Sequence, residues 1–177
     1  MNLIKKFSRK KKGSYTEEDL KEVYSSLGKM FHQPKRAAFT IDGSKISINL
    51  NEVGGAIPTA DPFRISLHLQ KPCGRSLSVY PASIWDITFQ SIFSTDKKII
   101  KSKYIFKGDK KLIIKLTEQS AVLKKLQGQQ LYIRIPKENT SKIILTPARG
   151  IESEAQFELF ISILKALEAE IDNENRS

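Results

Sequence analysis

Few residues in this chain of 177 are of types that do chemistry by themselves: two histidines, His32 and His68, and one cysteine, Cys73. A zinc centre takes three or four converging His, Cys or carboxylate ligands. Neither histidine stands at such a spacing, so no metal is expected. His68 falls on the polar side of an alternating strand pattern, and His32 at the end of an expected helix, where a cation suits the helix dipole. Cys73 is the one candidate nucleophile. Lys71 and Arg75 flank it, and nearby cations favour a thiolate. Lys71-Pro72-Cys73-Gly74 is equally an ordinary turn sequence, and that reading is preferred. An enzyme centred on Cys73 is kept as an alternative. It would need a base such as His68 folded back onto the turn.

A lone cysteine excludes an intrachain disulfide and a thiolate zinc cluster. No Gly-x-x-x-x-Gly-Lys-Ser/Thr or Gly-x-Gly-x-x-Gly segment cradles phosphates. Gly54-Gly55 stands alone in a polar stretch, and the carboxylates are scattered. No cofactor is expected and no catalytic residue is assigned.

Charge is the more informative property. The chain carries +11, but the first twelve residues hold Lys5, Lys6, Arg9, Lys10, Lys11 and Lys12 and no acid. The rest holds 24 basic against 19 acidic residues, a net +5. Residues 1–14 therefore read as a basic amphipathic or disordered tail. Leu3, Ile4 and Phe7 share one helical side of it, with Lys5, Lys6, Arg9, Lys10, Lys11 and Lys12 around the remainder. That is the pattern of a short segment lying in an anionic membrane interface. The competing expectation is a solubilising tail. Asn2 excludes myristoylation, no apolar run follows as in a signal peptide, and no run approaches the ~20 residues needed to span a bilayer. A cytoplasmic protein, attached peripherally if at all, is expected.

A second basic stretch runs from Lys97 to Lys125, with ten lysines against Asp109 and Glu118, a net +8. Its polyanion-binding candidates are Lys97, Lys98, Lys101, Lys103 and Lys107. Strand alternation puts Lys101, Lys103 and Lys107 on one face with Ile105, and Tyr104 and Phe106 on the other. A single-strand binder sets its aromatics beside its cations, and every base in the stretch is Lys, without an Arg for bidentate readout. A solvated lysine face is preferred, with nucleic-acid or other polyanion binding as the alternative.

The elements that must carry these residues follow from apolar period and punctuation. Thr16 reads as an N-cap, with Glu17, Glu18 and Asp19 in a first helical turn. Leu20, Val23, Tyr24, Leu27 and Phe31 then follow at helical spacing, and Pro34 ends the helix. Asp42-Gly43 between alternating runs marks a hairpin. Residues 51–62 form a Gly/Pro-punctuated loop. Phe63, Ile65, Leu67 and Leu69 alternate as a strand, and 77–80 is another. Residues 82–95 fit neither period. Residues 103–107 read as strand, and 109–116 as either a strand or a helix. Thr117 and Gly128 bracket a helix over 118–127. Leu131, Ile133 and Ile135 pair through a turn with 143–145. Ser153 and Gln156 form a capping box before a long helix that buries Phe157, Phe160, Ile161, Leu164, Leu167 and Ile171.

The expected class is α+β: a mostly antiparallel sheet packed with amphipathic helices, including an N-terminal one at about 16–31 and a C-terminal one at about 153–171. Residues 15–172 form one domain, and 173–177 a disordered end. No family is recognisable motif by motif. The leading expectation is a non-enzymatic binding or scaffold domain, attached peripherally to the cytoplasmic membrane surface by its basic tail. Its partners are then an anionic membrane surface or a protein, with nucleic acid behind both.

Overall fold

The computed structural model describes residues 3–25, 28–53, 63–83, 99–101, 103–118, 121–149 and 151–174. The chain is α+β, with antiparallel strand pairing and helices near both ends. It groups into two compact units, Met1–His68 and Leu69–Ser177, where one domain over 15–172 was expected.

In the first unit the Asp42-Gly43 turn sets the register. Both residues have positive φ, 46° and 77°, which is the geometry of a two-residue hairpin turn and the reason for a glycine there. The turn joins β3 (Gly28–Ile41) to β4 (Ser44–Val53), paired from Ile41↔Ser44 out to His32↔Val53. β5 (Arg64–His68) lies on the far side of β4. β1 (Ser14–Glu17) and β2 (Lys21–Ser25) share the outer edge of β3. Direct pairing places Ala37 and Phe39, Ile46 and Ile48, and Ile65 and Leu67 on one face, and all six are buried. The helix α1 (Leu3–Lys10) contacts β1 and β3 and buries Ile4 and Phe7.

Two expectations are overturned here. The described part of the segment 1–14 is no detachable tail: of the apolar side assigned to a membrane, Ile4 and Phe7 belong to the protein core and Leu3 is half-buried. Where a helix was expected at 16–31, the described residues are the end of β1, a short connection, β2 and the start of β3. The acids taken for its first turn are partners across strands, Glu17 with Lys35 at 3.7 Å and Glu18 with Arg36 at 3.1 Å. Leu20, which opened the apolar stripe, is 60% exposed. Pairing along β3 outweighs the helical spacing, as tertiary context often does for short segments. His32 therefore sits within a strand, not at a helix end.

In the second unit β9 (Leu131–Ile135) and β10 (Lys142–Pro147) form the expected hairpin. β6 (Leu77–Pro81) pairs with β9 on one side and β8 (Tyr104–Gly108) on the other, and β7 (Ile99–Lys101) follows β8. The segment left open at 109–116 is helical: α2 (Lys110–Glu118) starts where the Asp109 carboxylate accepts the Leu112 N–H at 3.0 Å. Thr117 is therefore not an N-cap. It lies in the last turn of α2, and its hydroxyl donates to the Ile113 carbonyl at 2.8 Å. α3 (Ala121–Leu126) is shorter than expected and stops before Gly128, whose φ is +73°. α4 (Glu154–Glu174) runs past the expected 171 and buries all six of its anticipated apolar residues, together with Ile163. Its Ser153 cap accepts the Gln156 N–H at 3.2 Å, while the Gln156 side chain accepts the Glu152 N–H at 2.9 Å. The unclassified stretch from 84 to 95, most of the 51–62 loop and residues 175–177 lie outside the described residues.

Candidate functional site

The geometry of α1 follows from how it ends. The Gly13 N–H bonds the Ser8 carbonyl at 2.9 Å and the Lys12 N–H bonds the Arg9 carbonyl at 3.0 Å. These are the two reverse bonds of a Schellman stop. The residue in the left-handed region is Lys12, with φ 53°, where glycine is usual. The glycine stands one place later because a Cβ at Gly13 would lie 2.4 Å from the Ala38 carbonyl oxygen and 2.6 Å from Phe39 Cβ. The Ser8 hydroxyl, itself buried, donates to the Ser14 carbonyl at 2.7 Å. Helix, stop and first strand are thus tied together, and the apolar side is spent inward.

What faces outward is cationic. Lys6, Arg9, Lys10 and Lys12 are exposed, while Leu3, Lys5 and Lys11 are half-buried. Lys5 lies over the Tyr15 ring at 5.7 Å and Lys11 over the Phe7 ring at 5.5 Å. Part of this charge has a structural use, since cations in a last turn complement the helix dipole.

The described lysines of 97–125 lie on several different elements. Lys97 and Lys98 lie outside the described residues, as does the side chain of Lys101. Lys103 and Lys107 are exposed at opposite ends of β8, with Lys103 in a turn at φ 64°. Lys115 and Lys125 are bound to α4: Lys115 Nζ donates to the Glu170 carbonyl at 2.7 Å and meets its carboxylate at 3.5 Å, and Lys125 Nζ lies 3.2 Å from Ser162 Oγ. The expected outward position of Ile105 does not leave it in solvent. Tyr104, Ile105 and Phe106 are all buried.

The remaining chemistry is sparse. Cys73 is buried, and its thiol donates to the Arg75 carbonyl at 3.3 Å. His68 Nε2 lies 2.8 Å from Ser47 Oγ across β4 and β5. β4 is paired on both sides there, Ser47 facing Ala38 and Ser66, so the surrounding N–H groups serve the ladder and are not aimed at a developing oxyanion. Among the described residues no three His, Cys, Asp or Glu stand together as a metal site. A pocket of about 300 Å³ in the second unit is lined by Gly128, Gln129, Gln130, Pro147, Arg149, Gln156 and Phe160. It adjoins the start of α4, where Ser153 takes the Gln156 N–H and the Gln156 side chain takes the Glu152 N–H.

One cluster escaped the sequence reading. Tyr132 is 50% exposed on β9, and Arg134 is exposed beside it on the same face. The signal was present in Leu-Tyr-Ile-Arg-Ile, where the polar positions at i and i+2 are an aromatic and an arginine.

No protein-family model matches the chain, and no curated protein matches it significantly. Among solved structures it is similar to the crystal structure of the mycobacterial trehalose monomycolate transport factor A, TtfA, with a TM-score of 0.59 at 8% identity. The match covers 96% of this chain and 92% of that one. At that identity the likeness shows a shared fold and nothing further. No helix among the described residues is long and apolar enough to cross a membrane.

Proposed function

We propose that this protein is a non-catalytic binding or scaffold domain that meets an anionic membrane surface through the outward side of α1. The observation that carries this reading is the division of that helix: Ile4, Phe7 and Ser8 are locked inward, while Lys6, Arg9, Lys10 and Lys12 are presented to solvent within about two turns. The mode differs from the one the sequence suggested. With its apolar side committed to the core, α1 contributes charge and no inserted side chains. A basic residue close to an anionic leaflet contributes about 1 kcal/mol, and salt screens that attraction. Attachment is therefore weak, reversible and electrostatic.

Co-sedimentation of the full chain with vesicles tests this. Binding to phosphatidylcholine vesicles containing phosphatidylglycerol, and none to phosphatidylcholine alone, supports the reading. Equal binding to both, or to neither, removes it.

A further inference from the structure

The side of the second unit's sheet opposite its core carries two tyrosines beside two cations. The strand registers place them. Ile144 faces Arg134, Arg134 faces Ser78, and Ser78 faces Lys107, a single row across β10, β9, β6 and β8. In the next row Tyr132 faces Thr146. The β6–β9 pairing ends at Val79↔Ile133, and carrying its register one residue further sets Tyr80 beside Tyr132. Leu131, Ile133, Ile135, Leu77, Val79 and Phe106 occupy the other side and are buried, so the pleat turns the tyrosines and cations to the opposite side, where Tyr132, Arg134 and Lys107 are exposed and Tyr80 is half-buried.

We propose that this face is a stacking platform for single-stranded nucleic acid, with Tyr132 and Tyr80 receiving bases and Arg134 and Lys107 meeting phosphates. Directly opposed side chains in an antiparallel pair have Cβ atoms roughly 5 Å apart, and residues two apart on a strand are separated by about 7 Å. One extended strand of nucleotides therefore reaches rings and cations together. Every base has a π face, so aromatics next to a cationic track suit single strands of any sequence, and sheet faces bind splayed-out bases in this way. A duplex hides its base faces and is read by an element entering a groove, which a broad sheet face does not supply. The platform has a defined limit. Ile105, opposite Tyr80 on β8, is fully buried, so the open part extends from Tyr80 across β9 towards β10. This inference does not rest on α1.

The test uses the full chain at low salt with fluorescently labelled 15-nucleotide oligo-dT and oligo-rU. A 15-base-pair duplex and polyglutamate serve as competitors. Binding to the oligonucleotides should exceed binding to either competitor and fall as salt rises. Tyr132→Ala should weaken it roughly 5- to 150-fold, the range for loss of one stacked base, and Tyr132→Phe should retain it. Arg134→Gln should weaken binding and flatten the salt dependence. Equal affinity for single strand, duplex and polyglutamate would overturn the proposal in favour of a general polyanion or acidic-protein surface. Unchanged binding by Tyr132→Ala, or no binding by the parent, would overturn it as well. Because Tyr132 is half exposed, Tyr132→Ala should fold as the parent does, and a matching circular dichroism melt verifies this.

Discussion

Phe7 of α1 and Phe39 of β3 meet edge to face, with ring centroids 5.6 Å apart and planes inclined by 66°. Phe7 is fully buried, so its removal should act like other large core deletions. Phe7→Ala is expected to lower the stability of the first unit by about 3–5 kcal/mol, read as a shift of the denaturant midpoint. A midpoint equal to that of the parent would mean that the first dozen residues are a detachable segment after all.

The stop of α1 offers a prediction of opposite sign at neighbouring positions. Lys12→Gly relieves a side chain at φ 53° and should stabilise by about 0.5–1 kcal/mol. Gly13→Ala forces a Cβ against the Ala38 carbonyl and Phe39, and should destabilise by about 1–3 kcal/mol. Thermal unfolding of the two variants checks both, and the same sign for both would contradict this geometry.

Tyr104 makes stability depend on pH at the alkaline end. Burial pushes its phenol above the ordinary value of 10.0, with a backbone hydrogen bond at Leu131 as a smaller opposing effect. Its hydroxyl donates to the Gln129 carbonyl at 2.7 Å. A raised folded-state pKa means that the unfolded chain loses its proton first. The contribution is whole below about pH 10 and is lost as pH rises from there through the folded value. Tyr104→Phe should cost about 0.5–1.5 kcal/mol at neutral pH, and this deficit should shrink above pH 10. A deficit that stays constant between pH 8 and pH 11 would count against the assignment.

Cys73 should behave as a protected structural thiol. It is 8% exposed and hydrogen-bonded to Arg75, so a thiol reagent should modify the native chain much more slowly than the chain unfolded in denaturant. Equal rates would reopen the reading of an enzyme built on Cys73.

How far the sequence could be read depended on whether local signals and tertiary pairing agreed. They agreed at Asp42-Gly43, where the turn type demands those residues, and along α4, where the apolar positions from Phe157 to Ile171 recur over about four turns behind a Ser153 cap. They disagreed at 16–31. There Glu17 and Glu18 look like a first helical turn but find Lys35 and Arg36 across a strand pair some eighteen residues away, which local pattern cannot display. In α1 the amphipathic pattern was legible but its partner was not. Leu3, Ile4 and Phe7 fit a lipid interface or a protein core equally well until Phe39 is placed. Tyr132 and Arg134 occupy alternate positions of a legible strand but went unremarked, and their alignment with Ser78 and Lys107 depends on pairing between strands distant in the chain.

The central claim is that the outward charge of α1 holds the protein to an anionic surface. It is tested most directly with the double variant Arg9→Gln/Lys12→Gln, which keeps Ile4 and Phe7 in place. Its binding to phosphatidylglycerol-containing vesicles at low salt is compared with that of the parent. The expected result is affinity reduced about tenfold or more, with only the small fall in unfolding midpoint that losing a last-turn cation entails, about 0.3–1 kcal/mol, and no effect on oligonucleotide binding. Parent-like affinity for those vesicles would contradict the account.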